Sequence, residues 1–389
     1  PNLFESMVES VAEPTLVQAA KDAGAKGINL VGMCCSGLEM FVRHGTPHAG
    51  NFMSTETILV TGAVDAMVVD VQCIKQALAK VAECYNTQLI TTNPRAQIEG
   101  AKHVEFHEDK PKECTDEIVI QAIGRFKNRG VEVDIPKIVN HGVTGFSHEY
   151  INYMLGGTFR ASYTPLNDNI INGRIRGVAG VVGCNNPRMK QDYVHVELVK
   201  ELIKKDVLVL QTGCSQVALT KAGLTTPEAA ILAGPGLQEV CETVGMPPVL
   251  GIGACVDNSR ILIAASAMVK QGGLGDSIAD LPVAGAAPEY MSEKAICIGQ
   301  YFVASGVYTV FGVTFPIVED TKFHKLLFEG LEEQGLGKWG FSPDPYEMAN
   351  MMIAHIDKKR KQLGIDKARE RVLMDMADRR EMEAAYQHA

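Results

Sequence analysis

Short apolar runs alternate along the chain with longer stretches in which apolar residues recur every three or four positions. The runs Gly27–Met33, Met67–Val71, Gln88–Thr92, Gly177–Val182, Val207–Gln211, Val249–Ile252, Leu281–Ala284 and Val307–Val313 read as strands. Helical periodicity marks Ile74–Tyr85, Thr115–Phe126, Gln191–Lys205, Ser259–Gln271 and Ser292–Ser305. Strands that are apolar throughout, rather than alternating, belong in parallel sheets covered on both faces. Right-handed crossovers through the helices then build doubly wound, Rossmann-like α/β domains.

The polar stretch 128–138, which contains Gly and Pro, predicts a boundary. It divides a Rossmann-like domain over 1–132 from a larger one over 133–389. From Asp344 onward the pattern is helical, and residues 357–381 interleave both charge signs at i,i+3 and i,i+4 spacing, as a solvated C-terminal helical tail does. Residues 2–24 read as one or two helices ahead of the first strand. The first domain is therefore expected to lack its opening strand, and the chain, which starts on Pro1 rather than Met, is expected to be a fragment.

Composition narrows the class. With 46% hydrophobic and 21% charged residues the chain is an ordinary globular one, neither disordered nor fibrous. No apolar run approaches the ~20 residues that span a bilayer. A net charge of −9 with no basic face argues against nucleic acid and for a small-molecule or protein partner. Ten cysteines in 389 residues, with no secretory leader in view, point to a reducing cytoplasm. There, clustered cysteines mean metal or redox chemistry more often than disulfides.

Five of the ten cysteines share one setting. Cys35, Cys73, Cys184, Cys214 and Cys255 each follow an apolar strand closely. Ligands of open α/β sheets bind outside the carboxyl ends of the strands, so five such thiols are able to converge on one crevice. Residues of helix N-cap type follow three of them: Asn185-Asn186, Ser215-Gln216 and Asp257-Asn258. A cysteine at a helix N-terminus favours the thiolate, the metal-binding form, and soft thiolates select iron–sulfur, zinc, copper or nickel. For any one of these cysteines, burial as a small hydrophobe is as good a reading; five recurrences at strand ends weigh against it. Cys34 stays open, since it points elsewhere if its neighbour Cys35 faces the crevice. Cys84, Cys114, Cys241 and Cys297 lie inside helical stretches and are assigned to packing. The glycine fragments Gly251-Ile252-Gly253 and Gly234-Pro235-Gly236 complete no nucleotide-binding pattern, and His44 and His48 are assigned to a loop. Lys294 follows a strand too, in the first turn behind Ser292, where a cation opposes the helix dipole. It reads either as a solvated lysine or as a donor to an anionic substrate atom.

The segments GINLVGMCCSG, RHGTPHAGNF, LVTGAVDAMVVDVQC, GVVGCNNPR, VLVLQTGCS, GACVDNSRI and APEYMSEKA, spread in order over nearly the whole chain, resemble the catalytic subunit of anaerobic nickel-iron carbon monoxide dehydrogenases. The resemblance implies an oxidoreductase that interconverts CO and water with CO2, two protons and two electrons at a nickel–iron–sulfur cluster of Ni-4Fe-4S type. It implies Cys35, Cys73, Cys184, Cys214 and Cys255 as cluster ligands, Lys294 as a catalytic hydrogen-bond donor to bound CO2 or its precursor, and Ile298 as an apolar residue of the substrate pocket. A ferredoxin-like electron carrier and a homodimer are implied as partners. Two features of the family are not in this sequence: an N-terminal helical domain holding further [4Fe–4S] clusters, and a histidine ligand that would stand just ahead of Pro1. A hybrid-cluster-like oxidoreductase of the hydroxylamine reductase type, or an inactive cluster-binding fragment, is the rival expectation.

Overall fold

Eleven strands, all paired in parallel, form three sheets in the computed structural model, which describes residues 2–71, 73–314 and 321–367. Strands β1 (Gly32–Met33) and β2 (His48–Gly50) pair with each other; β3 (Ala66–Val69), β4 (Gln88–Thr91) and β5 (Lys102–His103) form a second sheet. The third sheet contains β6 (Gly177–Gly183), β7 (Val207–Gly213), β8 (Val249–Gly253), β9 (Val283–Ala287), β10 (Tyr308–Phe311) and β11 (Trp339–Phe341), in the order β11-β10-β9-β6-β7-β8. Counted within that sheet, the order is 3-2-1-4-5-6, the doubly wound arrangement whose switch point lies between its first and fourth strands, here β6 and β9.

The apolar composition of β6 to β8 has its reason in this layering. Helices Tyr193–Lys204 and Pro345–Gln362 cover one face of the large sheet, and Asn258–Gln271 and Glu293–Ala304 cover the other. Val207, Val209 and Leu210 are buried among them in the main core. The register ends with Gly183 opposite Gly213, so the chain leaves β6 and β7 at the same level, one strand spacing of about 4.8 Å apart.

Residues 2–24 form two helices, Asn2–Ala12 and Pro14–Asp22; the first packs on Pro111–Lys127 over the β3–β5 sheet. The strand expected over Gly27–Met33 contracts to Gly32–Met33, because it pairs only with β2 and not with the β3–β5 sheet. Strands β2, β5 and β11 are three residues or shorter, below the length at which an apolar run stands out. The helix Pro345–Gln362 begins the expected tail, capped by Asp344, whose carboxylate accepts from the Tyr346 and Glu347 N–H groups. The part of the expected 357–381 helix beyond 367 lies outside the described residues. Among the described residues no helix is long and apolar enough to cross a membrane.

Candidate metal centre

The carboxyl ends of β6, β7, β8 and β9 open toward the segment that runs from β1 to the loop after β3. Cys184 and Cys214 emerge side by side from β6 and β7, and Cys255 follows β8. Gly213 makes this approach possible. Its φ of 67° and ψ of −142° are open to glycine alone, and a Cβ there would overlap the Cys255 sulfur. From the other side come Cys34 and Cys35, at the start of helix Cys34–His44, and Cys73. Cys34 and Cys73 hold left-handed backbone, with φ of 50° and 56°, a strained conformation for a residue with a Cβ and one found preferentially at functional sites.

The thiols face one another. Cys255 donates its S–H to the Cys35 sulfur, and Cys34 donates to Cys73. Cys214, fully enclosed, feels Cys35, Cys184 and Cys73. Lys294 donates Nζ–H to Cys35 at 3.9 Å. The Ser292 hydroxyl lies 3.9 Å from the Cys184 sulfur; Ser292 is the N-cap residue of Glu293–Ala304, but its side chain makes no cap bond.

Electrostatics follow from this crowding. The Cys255 S–H bond, against burial and with help from the Lys294 ammonium, draws the Cys35 thiol down to about 6. The Cys34 bond lowers Cys73 in the same way. Burial pushes Cys184 and Cys214 up; donation to Cys35, then burial, raises Cys255. Burial lowers Lys294, but the charges of Cys255, Cys35, Cys73 and Cys184 outweigh it and hold the amine firmly protonated. Six thiols that repel one another as thiolates, beside an ammonium, form a donor set that a cationic metal cluster would neutralise by replacing their protons. Among the described residues no three His, Cys, Asp or Glu side chains close on a single ion. Six thiols around one crevice, with an ammonium beside them, are the donor chemistry of an iron–sulfur-type cluster.

An apolar cavity of about 80 Å³ runs from Cys184, Cys255 and Lys294 along the sheet face beneath Asn258–Gln271 and Glu293–Ala304. Ile298, one helical turn from Lys294, lines it together with Val182, Leu210 and Ile261.

All five cysteines singled out from strand-end position meet in this crevice, and Lys294 joins them. Cys34, left open by the sequence, is turned in as well, because its left-handed backbone lets two adjacent cysteines face the same side. Cys114 and Cys241 are buried away from the site, as packing residues should be. Cys84 and Cys297 are exposed, which corrects their assignment to packing: each sits on the outward side of its helix. Asn185 and Asn186 are not caps, since no helix starts before Tyr193; Asn186 donates to the Tyr290 carbonyl at 2.8 Å. His48 belongs to β2, and its Nε2 lies 3.1 Å from the Cys34 carbonyl oxygen. Fully buried Asn51, Asn185 and Glu289 also surround the site. Of these only Asn185, next to Cys184, carried a signal in the sequence; Asn51 and Glu289 stand beside no cysteine.

The sequence profile of the Prismane/CO dehydrogenase family matches residues 1–346. Carbon monoxide dehydrogenase 1 of Methanosarcina mazei is 49% identical over 367 residues, 94% of this chain and 58% of that protein. Carbon monoxide dehydrogenase IV from Carboxydothermus hydrogenoformans superposes with a TM-score of 0.89 at 46% identity, over 93% of this chain and 59% of that one. A nickel-free carbon monoxide dehydrogenase from Thermococcus sp. AM4 superposes with a TM-score of 0.88 at 48% identity, over 94% of this chain and 57% of that one. The chain spans less than two thirds of the length of these relatives. With most of its length matched both in sequence and in fold, this chain belongs to the prismane/CO dehydrogenase family.

Proposed function

We propose that this chain carries the CO-oxidising centre of a carbon monoxide dehydrogenase, CO + H2O ⇌ CO2 + 2H+ + 2e−, with Cys35, Cys73, Cys184, Cys214 and Cys255 holding a nickel–iron–sulfur cluster. The observation that carries this reading is the convergence of these thiols, from five separate strand ends, around the Lys294 ammonium. When bound, the cluster supplies two-electron redox chemistry and Lewis acidity toward a neutral gas. Lys294 donates to the oxygen of the substrate on which negative charge develops. Ile298 and the apolar cavity behind it admit a small uncharged molecule and disfavour bulk water. The two halves of the site come from two units divided near 128–138. A ferredoxin-like carrier would take up the two electrons, with further [4Fe–4S] clusters as relays, in a cytoplasmic homodimer.

Anaerobic reconstitution with iron, nickel and sulfide, followed by metal analysis and CO-dependent dye reduction, tests the reading. Uptake of iron, sulfide and nickel that is abolished by Cys214→Ala is the expected result. Iron and sulfide without nickel would favour a hybrid-cluster-like oxidoreductase. No uptake at all would overturn the reading.

A further inference from the structure

Two buried amide side chains cross between the turns that carry Cys214 and Cys255. Gln216 lies in the first turn of helix Cys214–Lys221, two residues after Cys214. Its Oε1 accepts the backbone N–H of Gly253 at 3.0 Å, and Gly253 stands two residues before Cys255. Asn258 opens helix Asn258–Gln271, three residues after Cys255. Its Oδ1 accepts the Thr212 hydroxyl at 2.9 Å, and Thr212 stands two residues before Cys214. Its Nδ2 donates to the Cys255 carbonyl oxygen at 2.9 Å. An amide from each cysteine turn thus reaches the residue two places ahead of the other cysteine. Neither amide serves as a helix cap: the N-cap positions fall to Gly213 and Asp257.

The glycines of Gly251-Ile252-Gly253, which complete no nucleotide-binding pattern, make room for this crossing. A Cβ on Gly251 would come within 3.0 Å of the Gln216 amide carbon and 2.8 Å of the Thr144 hydroxyl. Gly253 has a φ of 144°, and a Cβ there would strike the Asp257 carboxylate, which accepts the Ala254 N–H at 2.8 Å. The far end of Gln216 is anchored as well. Its Nε2 donates to the Thr144 hydroxyl, which donates in turn to the Gly251 carbonyl oxygen at 3.2 Å. Buried amides are costly unless partnered at both oxygen and nitrogen, and both of these are. The pairing of β7 with β8 ends at Thr212 opposite Gly253. Beyond that point the chains part into their turns, and the two amides take over the spacing that the ladder sets within the sheet.

We propose that Gln216 and Asn258 are positioning residues that clamp the Cys214 and Cys255 turns to one another in the metal-free chain, so that these two thiols are preformed for the cluster. The proposal rests on the cluster reading above for what binds; the clamp itself is a property of the chain. Ligands fixed beforehand lose less freedom on binding, and partners behind the ligands tune the group they hold.

Three substitutions of similar volume each remove one grip. Gln216→Met frees Gly253 and Thr144, Thr212→Val removes the hydroxyl that Asn258 holds, and Asn258→Leu frees both Thr212 and the Cys255 carbonyl. Backbone hydrogen exchange of the metal-free chain reads the turns. The rate of iron and sulfide uptake, and the electron paramagnetic resonance spectrum of the reduced, reconstituted chain, read the cluster. Glu332→Gln, whose ion pairs involve no residue of the clamp, controls for a general loss of stability. In each of the three variants the segments 209–219 and 249–262 are expected to lose protection together, roughly tenfold, the size of one lost buried hydrogen bond. Uptake should slow and the spectrum change, while Glu332→Gln leaves both as they were. Combining Gln216→Met with Asn258→Leu should loosen the turns by less than the product of the single effects, because the two act as one unit. Loosening confined to the turn that carries the substitution overturns the proposal. So does coupled loosening with uptake and spectrum equal to those of the unsubstituted chain, which would make the amides structural alone. Thr212→Val exchanges a hydroxyl for a methyl and keeps the test available should a larger change unfold the chain. If the unsubstituted chain takes up no iron or sulfide, the cluster reading falls, while exchange in the metal-free chain still decides whether the clamp exists.

Discussion

The Lys294 ammonium lies 3.9 Å from the Cys35 sulfur, across 259 positions of sequence. The contact joins the helix that follows β9 to the helix that follows β1, and so brings the two sides of the crevice together. A charge-assisted donor in that place acts on anionic atoms, whether thiolate or substrate oxygen. In the metal-loaded protein, Lys294→Ala is expected to keep its iron and nickel and to lose about 10²–10³ in CO oxidation, the usual effect of removing one preorganised donor. Cys255→Ala should lose metal as well as activity. Metal analysis beside CO-dependent dye reduction distinguishes the two, and near-normal turnover by Lys294→Ala would return Lys294 to an ordinary half-buried lysine.

Gly213 offers a test of the crevice that leaves every thiol in place. An alanine there would hold backbone that only glycine adopts comfortably, and its Cβ would overlap the Cys255 sulfur. Strain of this kind costs about 1–3 kcal/mol. Gly213→Ala should therefore lower the melting temperature of the metal-free chain and reduce metal uptake, measured on the same preparation. Full uptake at unchanged stability would show that Cys255 does not need the position described.

The cavity beside Lys294 makes a kinetic prediction. Ile298→Phe adds bulk to its wall without touching a thiol. Metal content should be unchanged and the KM for CO raised several-fold, with a smaller effect on kcat, because access is impaired rather than chemistry. Equal loss of both terms, or none, would show that substrate does not pass Ile298.

Stability at low pH should depend on Glu332, which meets Lys338 at 2.9 Å and Lys358 at 2.6 Å. Partial burial raises its carboxyl, but the two ammoniums more than offset this and bring it from 4.5 to about 2. A folded-state value below the unfolded one means that the stabilisation is present above pH 4.5 and lost as the pH falls toward about 2. Glu332→Gln should destabilise the chain at pH 7 by on the order of 1 kcal/mol. That difference should shrink in denaturation curves taken from pH 5 to pH 3; a difference independent of pH would rule out the ion pairs as its cause.

Much of this protein is local. Apolar runs such as VLVLQ have one economical use, as parallel strands covered on both faces, and helical periodicity between them sets the crossovers. That pattern already places Cys184, Cys214 and Cys255 at carboxyl ends, and Lys294 behind β9. The very short strands β1, β2, β5 and β11 carry too few residues for a period to be visible, and their pairing is decided by what lies beside them.

Facing and partnership belong to the tertiary structure alone. No sequence pattern states that Cys34 turns inward beside Cys35; that depends on a left-handed backbone held by its surroundings. Asn185 resembles a cap residue by type, yet it bonds to Asn51 and Glu289, because the next helix starts only at Tyr193 and is capped by Glu289 from across the site. Cys84 and Cys297 share their helical setting with buried Cys114 and Cys241 but end on open surface. Periodicity along a chain reports which residues share a face. Which face becomes crevice, core or surface is decided by contacts more than a hundred residues apart, such as Asn51 with Asn185 and Cys35 with Lys294.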